Sequence, residues 1–120
     1  DFTTTSTSFV DVTNLTITIT TGARRVMLTA CGALANDTAA QQSKMTLVVD
    51  GVNQGGTNGL QFADHITAAE LHPFSMSFLT DVLTAASHTF KVQVLASGGT
   101  TTVRGNPTFV FSAIEILPAS

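Results

Sequence analysis

Residues 14–20 read Asn-Leu-Thr-Ile-Thr-Ile-Thr, and the strict alternation of Leu15, Ile17 and Ile19 with Thr16, Thr18 and Thr20 decides the fold. A period of two puts successive side chains on opposite faces of a strand, whereas an amphipathic helix needs apolar positions three and four apart. Thr and Ile are also stiff at χ1, which suits a pleated, half-buried strand. The same period recurs downstream. In Arg25 to Ala33, Val26, Leu28 and Ala30 share one face, and Met27, Thr29 and Cys31 the other. A polar stretch from Asn36 to Ser43 interrupts it before a strand at Lys44 to Asp50. Asp50-Gly51 favours positive φ, so a tight hairpin with a brief return at Val52 and Asn53 is expected. Gly55, Gly56, Asn58 and Gly59 make a permissive loop, and Leu60 and Phe62 a short strand. Phe74, Met76 and Phe78 alternate with Ser75 and Ser77, and Pro73 fits the strand start, where its missing N–H is tolerated. Phe90, Val92, Val94 and Ala96 alternate with Thr89, Lys91 and Gln93, and Gly98-Gly99 turns the chain toward Thr100 to Val103. The last strand, Thr108 to Leu117, is apolar on both faces, which points to a central strand or to one covered by another subunit.

Eight or nine short strands with regular turn signals predict an all-β fold, an antiparallel β-sandwich or barrel. The best helical candidate, Ile66 to Leu71, is only one or two turns long and stops against His72-Pro73. The expected core is Leu15, Ile17, Ile19, Leu28, Leu47, Phe78, Phe90, Val92 and Phe111. Residues 1–8 hold six hydroxyl side chains and one large apolar group, Phe2, and are expected to be an extended arm ahead of a single domain over 9–120. A start at Asp1 instead of Met suggests a processed or trimmed chain; no internal repeat, linker or signal peptide is read.

Composition narrows the function. The 120 residues make one folding unit. Charged residues are 11% of the chain against roughly 25% in an average soluble domain, while Thr fills 21 positions. Five basic residues and a net charge of −3 exclude the phosphate-neutralising patch that nucleic-acid binding needs. No run of about 18 apolar residues exists to form a membrane-spanning helix. Eight Phe with abundant Val, Leu and Ile exclude disorder. The single cysteine, Cys31, excludes an internal disulfide and is expected to act as a small buried hydrophobe.

Candidate chemistry is sparse. Asp64, His65, Glu70 and His72 are the densest group of potential metal ligands, but they lack the close repeated spacing of structural sites and read as solvated loop residues. No Gly-x-Ser-x-Gly elbow is present, and the Gly55–Gly59 loop lacks the helix N-terminus and Lys of a phosphate loop. No catalytic residue, cofactor or metal is assigned. Asn14-Leu15-Thr16 and Asn36-Asp37-Thr38 match the glycosylation pattern without implying a function. With no Trp or Tyr, a flat sugar-stacking platform is missing, and a polar sugar pocket would use Asn53, Gln54, Asn58 and Asp64. Arg104, with Arg24 and Arg25, would meet an acidic partner.

Three segments, LTITITTGARRVMLTACGA (15–33), MTLVVDGV (45–52) and LTAASHTFKVQV (83–94), with FSAIEI (111–116) closing the chain, resemble the compact jelly-roll domains of bacteriophage fibres, tail knobs and head-surface proteins. That architecture is similar to the globular heads of tumour necrosis factor and complement-type proteins. The resemblance implies jelly-roll topology and a homotrimer on a virion surface. It implies partners among other virion proteins and a host surface receptor or glycan. The expected role is a non-enzymatic structural or adhesive element, a capsid decoration or a fibre or tail knob; the alternative is a secreted or cell-surface, extracellular glycan-binding module. Assembly would use Phe2 and Phe9, anchoring the arm on a neighbour, together with Val110, Ile114 and Ile116 of the last strand. The loops 36–43, 53–59 and 98–106 would present the contact surface.

Overall fold

The computed structural model describes residues 1–106 and 108–117, and in it the alternating segments form ten strands. These are β1 (Phe2–Thr4), β2 (Val10–Thr20), β3 (Val26–Asn36), β4 (Gln41–Val49), β5 (Val52–Asn53), β6 (Gln61–His65), β7 (His72–Leu79), β8 (Ser87–Ala96), β9 (Thr101–Val103) and β10 (Val110–Glu115). All pairings are antiparallel.

One sheet is built on β3. β7 lies along one flank of it, and β10 and β9 run end to end along the other, with β1 outside β9. The second sheet is built on β4, with β8 and then β2 on one flank and β5 and β6 end to end on the other. Taking β5/β6 and β9/β10 as interrupted single strands, the orders β1–β9/β10–β3–β7 and β2–β8–β4–β5/β6 are those of an eight-strand jelly roll.

The sheets face each other across Val12, Val26, Leu28, Leu34, Met45, Leu47, Phe74, Phe90, Val92, Val94 and Val103, all essentially inaccessible. Of the expected core, Leu15, Leu28, Leu47, Phe90 and Val92 are buried, while Ile19, Phe78 and Phe111 pack on it partly exposed and Ile17 is half-buried. In β2 the register shifts between Asp11 and Thr16, and Asn14 takes φ 70°. This bulge lets Val12 and Leu15, three residues apart, both point inward. The Asp50-Gly51 hairpin has positive φ at both central residues, 48° and 83°, as a two-residue primed turn requires. Gly32 is needed for another reason. A Cβ there would lie 2.8 Å from the Phe74 ring and 2.9 Å from the Phe109 Cβ.

Four points of the sequence reading are refined or changed. Residues 66–71 form a turn, with Ala69 at φ 62° and its N–H on the Asn36 carbonyl, not a helix. Of the two readings of the last strand, the central one is excluded: β10 pairs with β3 alone and is an edge strand, while Val110 and Ile114 on its outer face are exposed. β4 starts at Gln41, inside the stretch read as a break, because Gln41, Gln42 and Ser43 pair with His65, Asp64 and Ala63. Residues 2–4 of the expected arm lie on the chain's own β9, with Phe2 opposite Val103 and packed on the core.

Candidate functional site

In an antiparallel pair, residues directly opposite one another share a face. The registers of β7, β3 and β10 therefore define three rows on the outer face of the first sheet. They are Ser75–Cys31–Val110, Ser77–Thr29–Ser112 and Leu79–Met27–Ile114. None of the nine residues is charged. Val110 is 51% exposed, Ile114 59% and Leu79 44%. Cys31 is exposed as well, which corrects its expected burial: it sits on the strand face that none of the described residues covers. At the lower end the patch runs into an apolar hollow of about 510 Å³ lined by Val82, Ile116, Leu117, Ala23, Arg24 and Arg25. The arginines at this rim are tied back: Arg24 lies 3.6 Å from Glu115, and Arg25 donates to the Thr80 carbonyl at 3.0 Å.

The structure thus gathers three of the expected assembly residues, Val110, Ile114 and Ile116, on one side of the molecule. Phe2 and Phe9 are used elsewhere. Phe2 packs on the core, and half-buried Phe9 has its ring tip 3.1 Å from where a Gly59 Cβ would stand.

The expected contact loops divide in the same way. Asn53 accepts from the Thr46 hydroxyl and the Gly55 N–H and donates to the Gly56 carbonyl, so its side chain is consumed in shaping the loop. Gln54 donates to the Val52 carbonyl. Arg104 lies on the other sheet, 3.9 Å from the Asp1 carboxylate, apart from the rest. Asn58 and Asp64 do converge, on the outer face of the second sheet, where Asn58 accepts from Lys44 Nζ at 2.9 Å and Asp64 from Gln42 Nε2 at 2.6 Å. Between them stands Phe62, 57% exposed. Periodicity had carried the signal, since Phe62 alternates with inward Ala63 and His65, but an aromatic residue in a strand reads as core until its register is known.

The histidine-rich segment is split by β6. Asp64 points outward, and His65 is wholly buried instead of solvated. Asn36, Ser43, His65 and Thr101, all fully buried, form one relay between the sheets. Asn36 Nδ2 donates to Thr101 Oγ1 (3.1 Å), Thr101 and Ser43 hydroxyls meet at 2.7 Å, Ser43 Oγ meets His65 Nε2 at 2.9 Å, and His65 Nδ1 faces the Glu70 carbonyl at 3.3 Å. Because Asn36 can only donate at one end and a carbonyl can only accept at the other, the hydroxyls donate in one direction and His65 is neutral with its proton on Nδ1. Burial pushes its pKa down, in agreement. His72 stacks edge-on against His65 and lies 3.4 Å from Glu70, on the outside of the relay. Among the described residues, no three His, Cys, Asp or Glu side chains converge as metal ligands would.

Compared with known proteins, the chain matches no family model and no curated protein.

Proposed function

We propose that the chain is a non-enzymatic structural or adhesive element of a virus particle surface, a phage capsid decoration or a fibre or tail knob, that assembles as a homotrimer through the outer face of its first sheet. The observation that carries this reading is the uncharged, apolar field of Met27, Leu79, Val110 and Ile114, continued by Ile116, Leu117 and Val82. Single exposed apolar residues are ordinary, but a contiguous patch with its charges held at the rim is the composition of an interface core. A second copy is the fitting occupant. The patch is a flat sheet face, and the hydroxyl row that crosses its middle is satisfied within the face, as Thr29 is by Ser112. Closed cyclic symmetry packs this face of every subunit around one axis, through contacts that close into a ring. The number three, and the viral setting, rest on the resemblance of segments 15–33, 45–52 and 83–94.

A non-enzymatic role is supported by the fate of the Ser43–His65 pair. Both side chains are fully buried and both are committed within the relay, so no substrate atom reaches the hydroxyl. The secreted glycan-binding reading stays as the second one, favoured by the exposed ring of Phe62 among polar side chains. Light scattering on the purified chain separates them. A particle of three times the 12.5 kDa chain mass supports the assembly reading, and a stable monomer at high concentration overturns it.

A further inference from the structure

We infer that Phe62, with Gln42, Lys44, Asn58 and Asp64, forms a subsite for one ring of a neutral saccharide on the outer face of the second sheet. The inference rests on the adhesive part of the reading above, and not on the trimer. Among the described residues, Phe62 is the one phenylalanine whose side chain is mostly in water, although burying such a ring normally stabilises a fold by about 1.5–3 kcal/mol. Its position is rigid. Phe62 lies directly opposite Lys44, and Asp64 directly opposite Gln42, in the β4–β6 ladder, so strand register holds the ring and three of its polar neighbours, while Asn58 comes from the adjoining 56–58 turn.

The polar groups are already oriented and still have capacity. Lys44 Nζ donates to Asn58 Oδ1, and Gln42 Nε2 donates to Asp64 Oδ1. Asn58 Nδ2, Gln42 Oε1 and Asp64 Oδ2 have valences left over, two acceptors and a donor pair around one aromatic face. A sugar ring presents the matching chemistry: an apolar C–H face for the electron-rich ring and a girdle of hydroxyls that both donate and accept. Gln42, Lys44, Asn58 and Phe62 line a shallow hollow of about 190 Å³, below the roughly 300–1,000 Å³ of pockets for drug-sized ligands and so suited to a single ring. One cation and one anion leave the subsite without net charge, which argues for a neutral sugar over an acidic one. A protein partner would need roughly 800 Å² of surface on this side, more than one ring and its neighbours provide. The location also fits display. The two sheets pack face to face, so their outer faces point away from each other, and a trimer closed on the first sheet turns each Phe62 outward. Several such sites on one particle would add avidity to weak single-ring binding.

The test is an NMR titration of the isotope-labelled chain with glucose, galactose, mannose and N-acetylglucosamine at millimolar concentration, with N-acetylneuraminic acid as the charged comparison. At least one neutral sugar is expected to shift the Phe62 ring signals and the amides of Lys44 and Asn58, with a weaker response to the acid. Phe62→Ala should weaken binding roughly tenfold or more, Phe62→Trp should retain it, and Asn58→Ala should weaken it with the ring intact. Absence of shifts with every neutral sugar, or binding that survives Phe62→Ala, overturns the inference. Amide shifts remote from β6 report whether each variant keeps its fold. Light scattering on the same samples keeps the two readings apart: a trimer that ignores sugars rejects the subsite alone, and a monomer that binds through Phe62 rejects the assembly alone.

Discussion

His88 donates from Nδ1 to Asp50 Oδ2 at 2.5 Å and from Nε2 to the Thr84 carbonyl at 2.8 Å, so both ring nitrogens carry protons and the ring is an imidazolium. The second Asp50 oxygen accepts the Thr89 N–H at 2.8 Å. The pair thereby fixes the Asp50-Gly51 hairpin to the segment that enters β8. The Asp50 hydrogen bond, then the Thr84 carbonyl, hold the His88 pKa above its ordinary value, and the same contact lowers that of Asp50. Stability from a raised histidine is complete below the unfolded value of about 6.5 and is lost as pH rises through the folded value. Urea midpoints measured across this range should fall as pH climbs above about 6.5, and the fall should be smaller in His88→Gln. An unchanged alkaline slope in that variant would contradict the assignment.

His65 responds with the opposite sign. Its neutral form is the one the relay accepts, because an Nε2–H would have to donate to Ser43, turning the Ser43 and Thr101 hydroxyls against the Asn36 amide. With its pKa lowered by burial, its contribution is present above about 6.5 and is lost as pH falls toward the folded value. The two histidines together place the stability maximum near about pH 6.5. Ser43→Ala orphans both His65 Nε2 and the Thr101 hydroxyl and should cost about 1–3 kcal/mol in denaturation. A loss well below that range would show that the relay carries little.

Strand existence, the primed hairpin and most of the core were legible because each rests on local chemistry: alternation, the Asp-Gly dipeptide, β-branched residues. Which face of a two-faced strand meets the core is not local. The run at 110–116 is apolar on both faces, and only the stacking of the two sheets decides that Phe111 and Ala113 pack on the core while Val110 and Ile114 stay in water. Cys31 was misplaced for the same reason, and His65 in the opposite sense, read as solvated and found buried. The relay was hidden differently. Asn36, Ser43, His65 and Thr101 are scattered through the chain, and long-range pairing of β3 with β9 and of β4 with β6 brings them together. The lack of charge, with the apolar run of the last strand, did point to Val110, Ile114 and Ile116, which are exposed together.

Ile114→Asp places a carboxylate on that face, opposite Met27. Because Ile114 is 59% exposed in the single chain, the substitution should change monomer stability by no more than about 0.5 kcal/mol. In an assembly it would be desolvated and unpaired, so the particle should dissociate to the 12.5 kDa chain. Cys31, two rows away on the same face, supplies a second readout: its reaction with a maleimide should be slow in the native particle and fast in the variant. Thr16→Asp, on an exposed strand position of the other sheet, should leave both mass and labelling rate unchanged. Equal behaviour of the two variants would place the interface elsewhere.

The N-terminal segment tests a different division of labour. β1 pairs with β9 of the same chain, Asp1 accepts the Gly105 N–H at 2.6 Å, and the Ser6 carbonyl accepts the Ala96 N–H at 2.8 Å, so residues 1–6 seal two edges in cis. An arm that anchored a neighbour by strand addition would leave those bonds unmade within its own chain. Deletion of residues 1–8 should therefore lower the melting temperature while the particle mass stays the same. Phe2→Ala, which removes a half-buried ring from the core edge, should cost about 1–2 kcal/mol with mass again unchanged. Light scattering and thermal denaturation on both variants decide the matter, and a fall in mass without a fall in single-chain stability would restore the exchanged arm.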